Sequence, residues 1–435
     1  MRTANYQLIL LLLLLLGSNG LAAQRNDLTL AQAIDYAIAN NPEMKAALLN
    51  VTDADEQIKE FRSQGMPQLN GSAGYTYYFE RPIVQLPMAL GGDQISFILR
   101  NNFTGALNLD ALIFDASYLT GLKAARAARN YAQLELADQQ RNVRAQVRNA
   151  YLTLLFLTEN LAQLDKNITN LTTLFAETQA TYEAGFVEQL DVDRLELSLS
   201  NLRTERQNLS RQYEMAVEAL KFTLNYPAGE ELTVTDDLEG LLTDADAAML
   251  EAELDYSRRT ELNLIQQGLA LQDLNVQVNQ SRYWPSLRGN AAYQYQYQGN
   301  DSTDDFWAPT GLLGVSLNVP IYDGGLRSAS VARAKLAREQ VVLQQSTLQR
   351  AANLEVTNAK TAYQSALDRL RERDRNLELA QRIYDTTQVK YREGVGSSLE
   401  VSQAESELYT AQSNRLQAQF ELLQAKITLQ EALGL

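Results

Sequence analysis

The chain has no cysteine and no histidine among its 435 residues. The first absence excludes a disulfide framework, thiolate metal sites and acylation of an N-terminal cysteine. The second removes the usual general base and the commonest zinc ligand. No Ser-Lys or paired-carboxylate signature replaces them. The expectation is a protein that is not an enzyme, with no catalytic residue, no cofactor and no metal site. Long apolar runs are missing after the N-terminus, so nothing later supplies the roughly 20 residues of a spanning helix. A formal net charge of −15 argues against nucleic acid as a partner, because a polyanion is repelled. It suits a cation-preferring lumen, although ordinary solubility accounts for it equally simply.

What is present begins with an expected signal peptide over residues 1–23. Arg2 supplies the positive charge and Leu8 to Leu16 the apolar run, with cleavage after Ala22 or Ala23. An exported chain without a spanning helix must meet a membrane some other way.

The remainder is written twice. Met66-Pro67-Gln68-Leu69-Asn70-Gly71 answers Trp284-Pro285-Ser286-Leu287-Arg288-Gly289, and both continue into alternating tyrosines. Leu107-Asn108-Leu109 answers Leu317-Asn318-Val319, and Phe114-Asp115 answers Tyr322-Asp323. Tyr182-Glu183-Ala184-Gly185 answers Tyr391-Arg392-Glu393-Gly394. The offset is about 218 residues at the first match and about 209 at the later ones, far above a solenoid period. One duplicated unit therefore spans 24–240 and 241–435. The first copy holds a helix, membrane strands 67–79 and 102–112, and a helical hairpin 117–226. The second holds a helix, strands 285–298 and 310–320, and a hairpin 325–433.

Glycine and proline are absent from Leu122 to Ala184, Phe186 to Tyr226, Leu326 to Glu393 and Ser397 to Leu433. Such tracts permit helix, and the first, at about 63 residues, would run roughly 95 Å. Leu157, Leu161, Leu164, Ile168, Leu171, Phe175, Thr178 and Tyr182 keep a four-three rhythm, the seam of a coiled coil. The return tracts carry matching seams, with Arg206 and Arg415 at equivalent positions. Their expected behaviour is to lay the stem on the seam and keep the charged head in water.

From Leu287 to Gln298 the period is two. Leu287, Gly289, Ala291, Tyr293, Tyr295 and Tyr297 share one face, and Asn290, Gln294 and Gln296 lie on the other. An apolar, aromatic exterior over a polar interior is the pattern of a transmembrane β-barrel, which makes Asn290, Gln294 and Gln296 candidate lumen residues. Four strands cannot close a barrel, and open edges are not tolerated in lipid. Three chains would give 12 strands.

In the order and duplication of these motifs the chain resembles the TolC-like outer-membrane efflux proteins. The Asn318-Val319-Pro320-Ile321-Tyr322-Asp323-Gly324-Gly325 junction, both Tyr-x-x-Gly turns and the terminal Ala432-Leu433-Gly434-Leu435 carry the resemblance. It departs at Asp110 to Ser117, which lacks the Pro and Gly-Gly form, and at Gly396, where some relatives place a basic residue. The resemblance implies a mostly α fold with a small transmembrane β part. It implies a homotrimer whose 12-strand β-barrel, in outer-membrane lipid, continues into a periplasmic α-helical coiled-coil barrel. The function implied is the exit duct of a tripartite efflux or type I secretion system in a Gram-negative bacterium. The alternative is a membrane-anchored trimeric coiled-coil adhesion protein without a channel. The implied partners are a periplasmic adaptor (membrane fusion) protein and an inner-membrane transporter. Tyr182, Gly185, Leu190, Tyr391, Gly394 and Leu399 would form the adaptor-docking tips. Asp191, Asp193 and Glu400 are candidate lumen carboxylates, with helix-dipole complementation as the simpler role. A bond between Asp191 and Tyr391 is the expected gate latch.

Overall fold

The computed structural model describes residues 27–85, 94–242, 248–300 and 305–435. The expected signal peptide, 1–23, lies outside the described residues. The chain is mostly helical. In order the elements are β1 (Asp27–Leu28), α1 (Leu30–Asn40), α2 (Pro42–Ser63), β2 (Gln68–Tyr77), β3 (Val84–Gln85), β4 (Gln94–Ile95), β5 (Asn101–Asp115), α3 (Ala116–Glu183) and α4 (Gln189–Leu224). Then come β6 (Thr233–Val234), α5 (Leu238–Leu242), α6 (Ala248–Glu251), α7 (Thr260–Ser281), β7 (Ser286–Gly299), β8 (Phe306–Asn318), α8 (Leu326–Arg392) and α9 (Ser398–Leu433). The outgoing helices α3 and α8 have 68 and 67 residues, and the return helices α4 and α9 have 36 each. Residue contacts divide the chain into two compact units. One holds the stretch ending at Ala46 with Ala137–Arg259 and Arg350–Leu435; the other holds Ala47–Leu136 and Thr260–Gln349.

The second of these units contains a four-stranded antiparallel sheet in the order β2-β5-β7-β8. Its register settles which side chains share a face, because directly opposed residues of an antiparallel pair point the same way. Tyr293 faces Leu107 and Gly311, Tyr295 faces Gly105 and Pro309, and Ala291 faces Leu109 and Leu313. Gly71 and Ala73 of β2 continue those rows. One face is therefore apolar across all four strands. On the other, Gln294 lies between Ala106 and Thr310, Gln296 between Thr104 and Ala308, and Asn290 between Asp110 and Gly314.

Each long strand pair hands over to a long helix through an aspartate. β5 runs past a bulge at Leu112/Phe114 to Asp115, so it is longer than the expected 102–112. The Asp115 carboxylate accepts from the backbone N–H groups of Ser117 at 2.7 Å and Tyr118 at 3.1 Å. Asp323 does the same for α8, accepting from Gly325 at 3.1 Å and Arg327 at 3.0 Å. Both satisfy orphan donors of a first helical turn. The missing Pro and Gly-Gly in the first copy thus leave the capping chemistry intact. Nearby, the Phe61 and Tyr118 rings stack at 5.7 Å. A Cβ on Gly121 would meet the Phe61 ring at 2.5 Å, so glycine is what permits that approach.

The other unit carries both helical hairpins. Its core is a set of leucine layers, among them Leu157, Leu164 and Leu209 between α3 and α4. Val356, Ala359, Tyr363, Leu422 and Leu429 form a corresponding layer between α8 and α9. The parallel ladder β1–β6 is tied down by Tyr151, which is fully buried. Its hydroxyl contacts the Leu28 carbonyl and the Asp236 carboxylate, both at 2.8 Å. Burial first, then the Asp236 contact, pushes that phenol well above its ordinary pKa. Arg206 donates to Asp165 at 2.6 Å, and Arg415 donates to Asp374 at 2.7 Å. The two arginines are therefore cross-hairpin ion-pair partners, not merely heads held in water: each aspartate lies 41 residues upstream, facing it from the outgoing helix.

Candidate functional site

The hairpin tips are built alike. Gly185 and Gly394 have φ of +81° and +75°, a region that an L side chain enters at a cost. At the first tip Gly185 N–H donates to Tyr182 O at 2.8 Å and Phe186 N–H to Thr181 O at 3.1 Å. At the second, Gly394 N–H donates to Tyr391 O at 3.0 Å and Val395 N–H to Lys390 O at 2.9 Å. This is a helix-terminating pattern that satisfies the last carbonyls. Among the described residues nothing lies within 4 Å of a Cβ placed on either glycine, so the backbone conformation is what demands it. Tyr182, Leu190 and Leu399 are exposed, and Phe186 and Val395 are 83% and 77% exposed. The last two were not singled out from the sequence. Their signal was an apolar residue directly after each turn glycine.

The Asp191–Tyr391 bond expected as a latch is not made within the protomer. The Tyr391 ring packs on a cluster of Leu171, Leu174, Leu195, Leu199 and Val401, and its hydroxyl is buried without a hydrogen-bond partner among the described residues. Asp191 is committed elsewhere. One of its oxygens accepts from Ser398 Oγ on the other hairpin, and the second accepts from Glu188 N–H at 3.2 Å. Arg194 also donates to Ser398 Oγ, at 3.3 Å. Ser398 is 2% exposed, so it serves as the polar pin between the hairpins. Arg392 pairs with Glu177 across the same joint at 3.4 Å. The physical reason is helix rotation: Tyr391 ends the apolar seam and points inward, whereas Asp191 faces the first turn of α9.

The other expected carboxylates stand apart. Asp193 is exposed and accepts from Gln189 at 2.8 Å on its own helix. Glu400 is exposed in the first turn of α9, where its N–H is capped by Ser397 Oγ at 3.3 Å. Both positions suit complementation of a helix N-terminus. Among the described residues no group of three acidic side chains is placed to hold a metal ion.

A sheet with one largely apolar face, in a chain that also carries paired coiled-coil hairpins, defines the class: a subunit of an outer-membrane channel of the TolC-like kind. The model of the outer membrane efflux protein family matches residues 33–225 and 254–435, and the chain belongs to that family. It is 26% identical to the pyoverdine export outer membrane protein OpmQ of Pseudomonas aeruginosa, over 92% of this chain and 84% of that one. It is 24% identical to the outer membrane protein TolC of Escherichia coli, over 98% of this chain and 85% of that one. Among solved structures, CusC superposes with a TM-score of 0.75 at 17% identity, covering 93% of this chain and 92% of that one. VceC of Vibrio cholerae superposes with a TM-score of 0.72 at 18% identity, covering 93% and 96%. The relatives are outer-membrane efflux channels, and the outer membrane is where this chain acts.

Proposed function

We propose that three copies of this chain close a 12-strand barrel in the outer membrane and form the exit duct of a tripartite efflux or type I secretion system. The observation that carries this is the sheet. Its apolar face is continuous over β2, β5, β7 and β8, while β2 and β8 leave two unpaired edges. Lipid does not tolerate such edges, and joining β2 of one copy to β8 of the next removes them all. Asn290, Gln294 and Gln296 then line the barrel lumen. The two repeats, 24–240 and 241–435, each supply a hairpin to a periplasmic helical barrel. Phe186 and Val395 join Tyr182, Leu190 and Leu399 at the tips, which dock a periplasmic adaptor protein that links the duct to an inner-membrane transporter. The export of pyoverdine, which the name of OpmQ states for that relative, supports an export role.

Two measurements test it. The detergent-purified protein should be a trimer and should conduct ions in a planar bilayer; a monodisperse monomer with full β-content sinks the barrel. Tyr295→Lys should impair assembly, since a cation facing lipid near mid-bilayer costs roughly 2–4 kcal/mol. Gln296→Lys should assemble and lower cation selectivity. Identical behaviour of the two variants reverses the facing assignment.

A further inference from the structure

Below the tips, a cavity of about 430 Å³ opens between α3, α4 and α9. Its lining is unusually polar for a coiled-coil seam, with Asn160, Gln163 and Asn167 from α3 and Ser402, Glu405 and Tyr409 from α9. Glu405 is 2% exposed. Its carboxylate oxygen lies 2.5 Å from Tyr409 Oη, and that Oη lies 3.3 Å from the main-chain oxygen of Asn167 on the other hairpin. Asn167 also donates to Gln412 at 3.0 Å.

The proton count matters here. Tyr409 has one phenolic hydrogen and two acceptors within reach. When Glu405 is ionised, that hydrogen is held by the carboxylate and Asn167 receives none. When Glu405 is neutral, its own O–H donates to Tyr409 Oη, and Tyr409 donates onward to Asn167. Only the neutral carboxyl therefore lets Tyr409 donate across to α3, beside the Asn167–Gln412 bond that both states keep. An ionised carboxylate, by contrast, is a buried charge without a cation, which favours entry of water.

We propose that Glu405 is a proton-binding site that sets how firmly the two hairpins of one protomer hold together, closed when neutral and loosened when ionised. The titratable groups around it are few. Tyr409 is on its own helix, Tyr384 is on α8 within electrostatic reach, and exposed Glu205 of α4 lines the far wall. From α3 only amides face it among the polar side chains, and no lysine or arginine lines the cavity among the described residues. Burial pushes the Glu405 carboxyl up to about 7, with the Tyr409 hydrogen bond acting in the opposite sense. Burial, then the Glu405 charge, pushes the Tyr384 phenol up to about 12, so it stays neutral across the range that matters. The sign follows. A carboxyl raised in the closed form favours closure fully below the ordinary carboxylate range, and that favour is lost as pH rises through about 7. The proton dependence of the seam stands without the duct; its meaning as control of the duct entrance rests on the proposed function.

The absence of cysteine makes the test clean. Spin labels at Phe186→Cys and Val395→Cys, in labelled protomers diluted among unlabelled ones, report the distance between the hairpins. From about pH 5 to about pH 9 the closed population should fall roughly a hundredfold relative to the open one. E405Q should stay closed throughout, because its amide donates to Tyr409 at every pH. Y409F should be loosened even at low pH. A distance distribution that ignores pH, or an E405Q protein that keeps the wild-type response, overturns the proposal. Should E405Q fail to assemble, the infrared band of the protonated carboxyl in the unsubstituted protein decides. Titration in the ordinary carboxylate range overturns the site, and titration near 7 upholds it. Conductance separates the two readings: a conducting channel with pH-blind hairpins loses only the proton site, and moving hairpins without conductance lose only the duct.

Discussion

The return helices α4 and α9 have the same length, 36 residues, and matching seams, yet they are buried differently. In α9 a second stripe of polar residues runs every seventh position: Ser398, Glu405, Gln412, Gln419 and Lys426. Ser398, Glu405, Gln419 and Lys426 are buried, each 2–6% exposed. The equivalent stripe of α4 begins Gln189, Glu196 and Arg203, and all three are exposed. Both helices bury an apolar seam against their own outgoing partner. Both also touch the other hairpin, since Ser398 of α9 meets Asp191 and Arg194 of α4, but only in α9 is a polar stripe buried. A heptad with one apolar and one polar buried stripe holds two neighbours at once. The apolar stripe supplies most of the burial energy, and the polar one favours a particular register. The uncovered stripe of α4, with Leu197 and Met215 63% and 65% exposed, is the face that a neighbouring copy covers in the proposed trimer.

The largest effect should come from the joint. Leu195 is 1% exposed and packs with Leu171, Leu174 and Val401. Leu195→Ala should destabilise the helical part by about 2–5 kcal/mol, seen in urea unfolding followed by circular dichroism. Leu197→Ala should change protomer stability by no more than about 0.5 kcal/mol but lower the heat resistance of the trimer. A trimer indifferent to Leu197→Ala would show that no neighbour covers this face.

A smaller effect separates two serines of α9. Ser398 bridges Asp191 and Arg194, so Ser398→Ala strands a partly buried carboxylate and guanidinium at a cost of about 1–3 kcal/mol. Ser402 meets Ser198 at 3.4 Å, a long contact between half-buried hydroxyls, and Ser402→Ala should be close to neutral. Equal losses in the two variants would mean that Ser398 is no more of a pin than its neighbour.

How far the sequence carried depends on which geometry a feature needs. The tyrosine–glutamine alternation of β7 needs only period two, and the register places Asn290, Gln294 and Gln296 together on the polar face. The turn glycines need only a sign of φ, and both have it. The latch needed the relative rotation of two hairpins, which no heptad count contains. Tyr391 and Asp191 are close in the chain to their turns, but their side chains face different surroundings. The same limit hid Glu405. It sits beside Ala404 of the apolar seam, and a one-seam reading leaves it in solvent. The recurrence of polar residues seven apart from Ser398 was the available signal.

The smallest effect tests whether the coverage of α9 reaches its ion pair. Arg206–Asp165 and Arg415–Asp374 are equivalent bridges with nearly equal lengths, 2.6 and 2.7 Å. If each arginine met only its aspartate, Arg206→Gln and Arg415→Gln would shift the urea midpoint alike, and barely, since exposed pairs are weak and screened. Arg415 has further company. It shares a cavity with Glu159, Asp237 and Glu239, whereas Asp165 is the one charged side chain that acts on Arg206 among the described residues. Burial raises the Glu159 carboxyl pKa, the hydrogen bond from Leu238 N–H at 2.6 Å opposes that rise, and the Arg415 charge opposes it as well. Removing Arg415 should therefore cost more than removing Arg206. The extra loss should appear only where Glu159 is ionised, because neutral Glu159 gains nothing from a cation. Glu159→Gln should bring the two arginine variants level. A difference that persists in the Glu159→Gln background would place its origin in packing of the Arg415 stem, and equal shifts throughout would confine the coverage of α9 to its Ser398–Glu405 half.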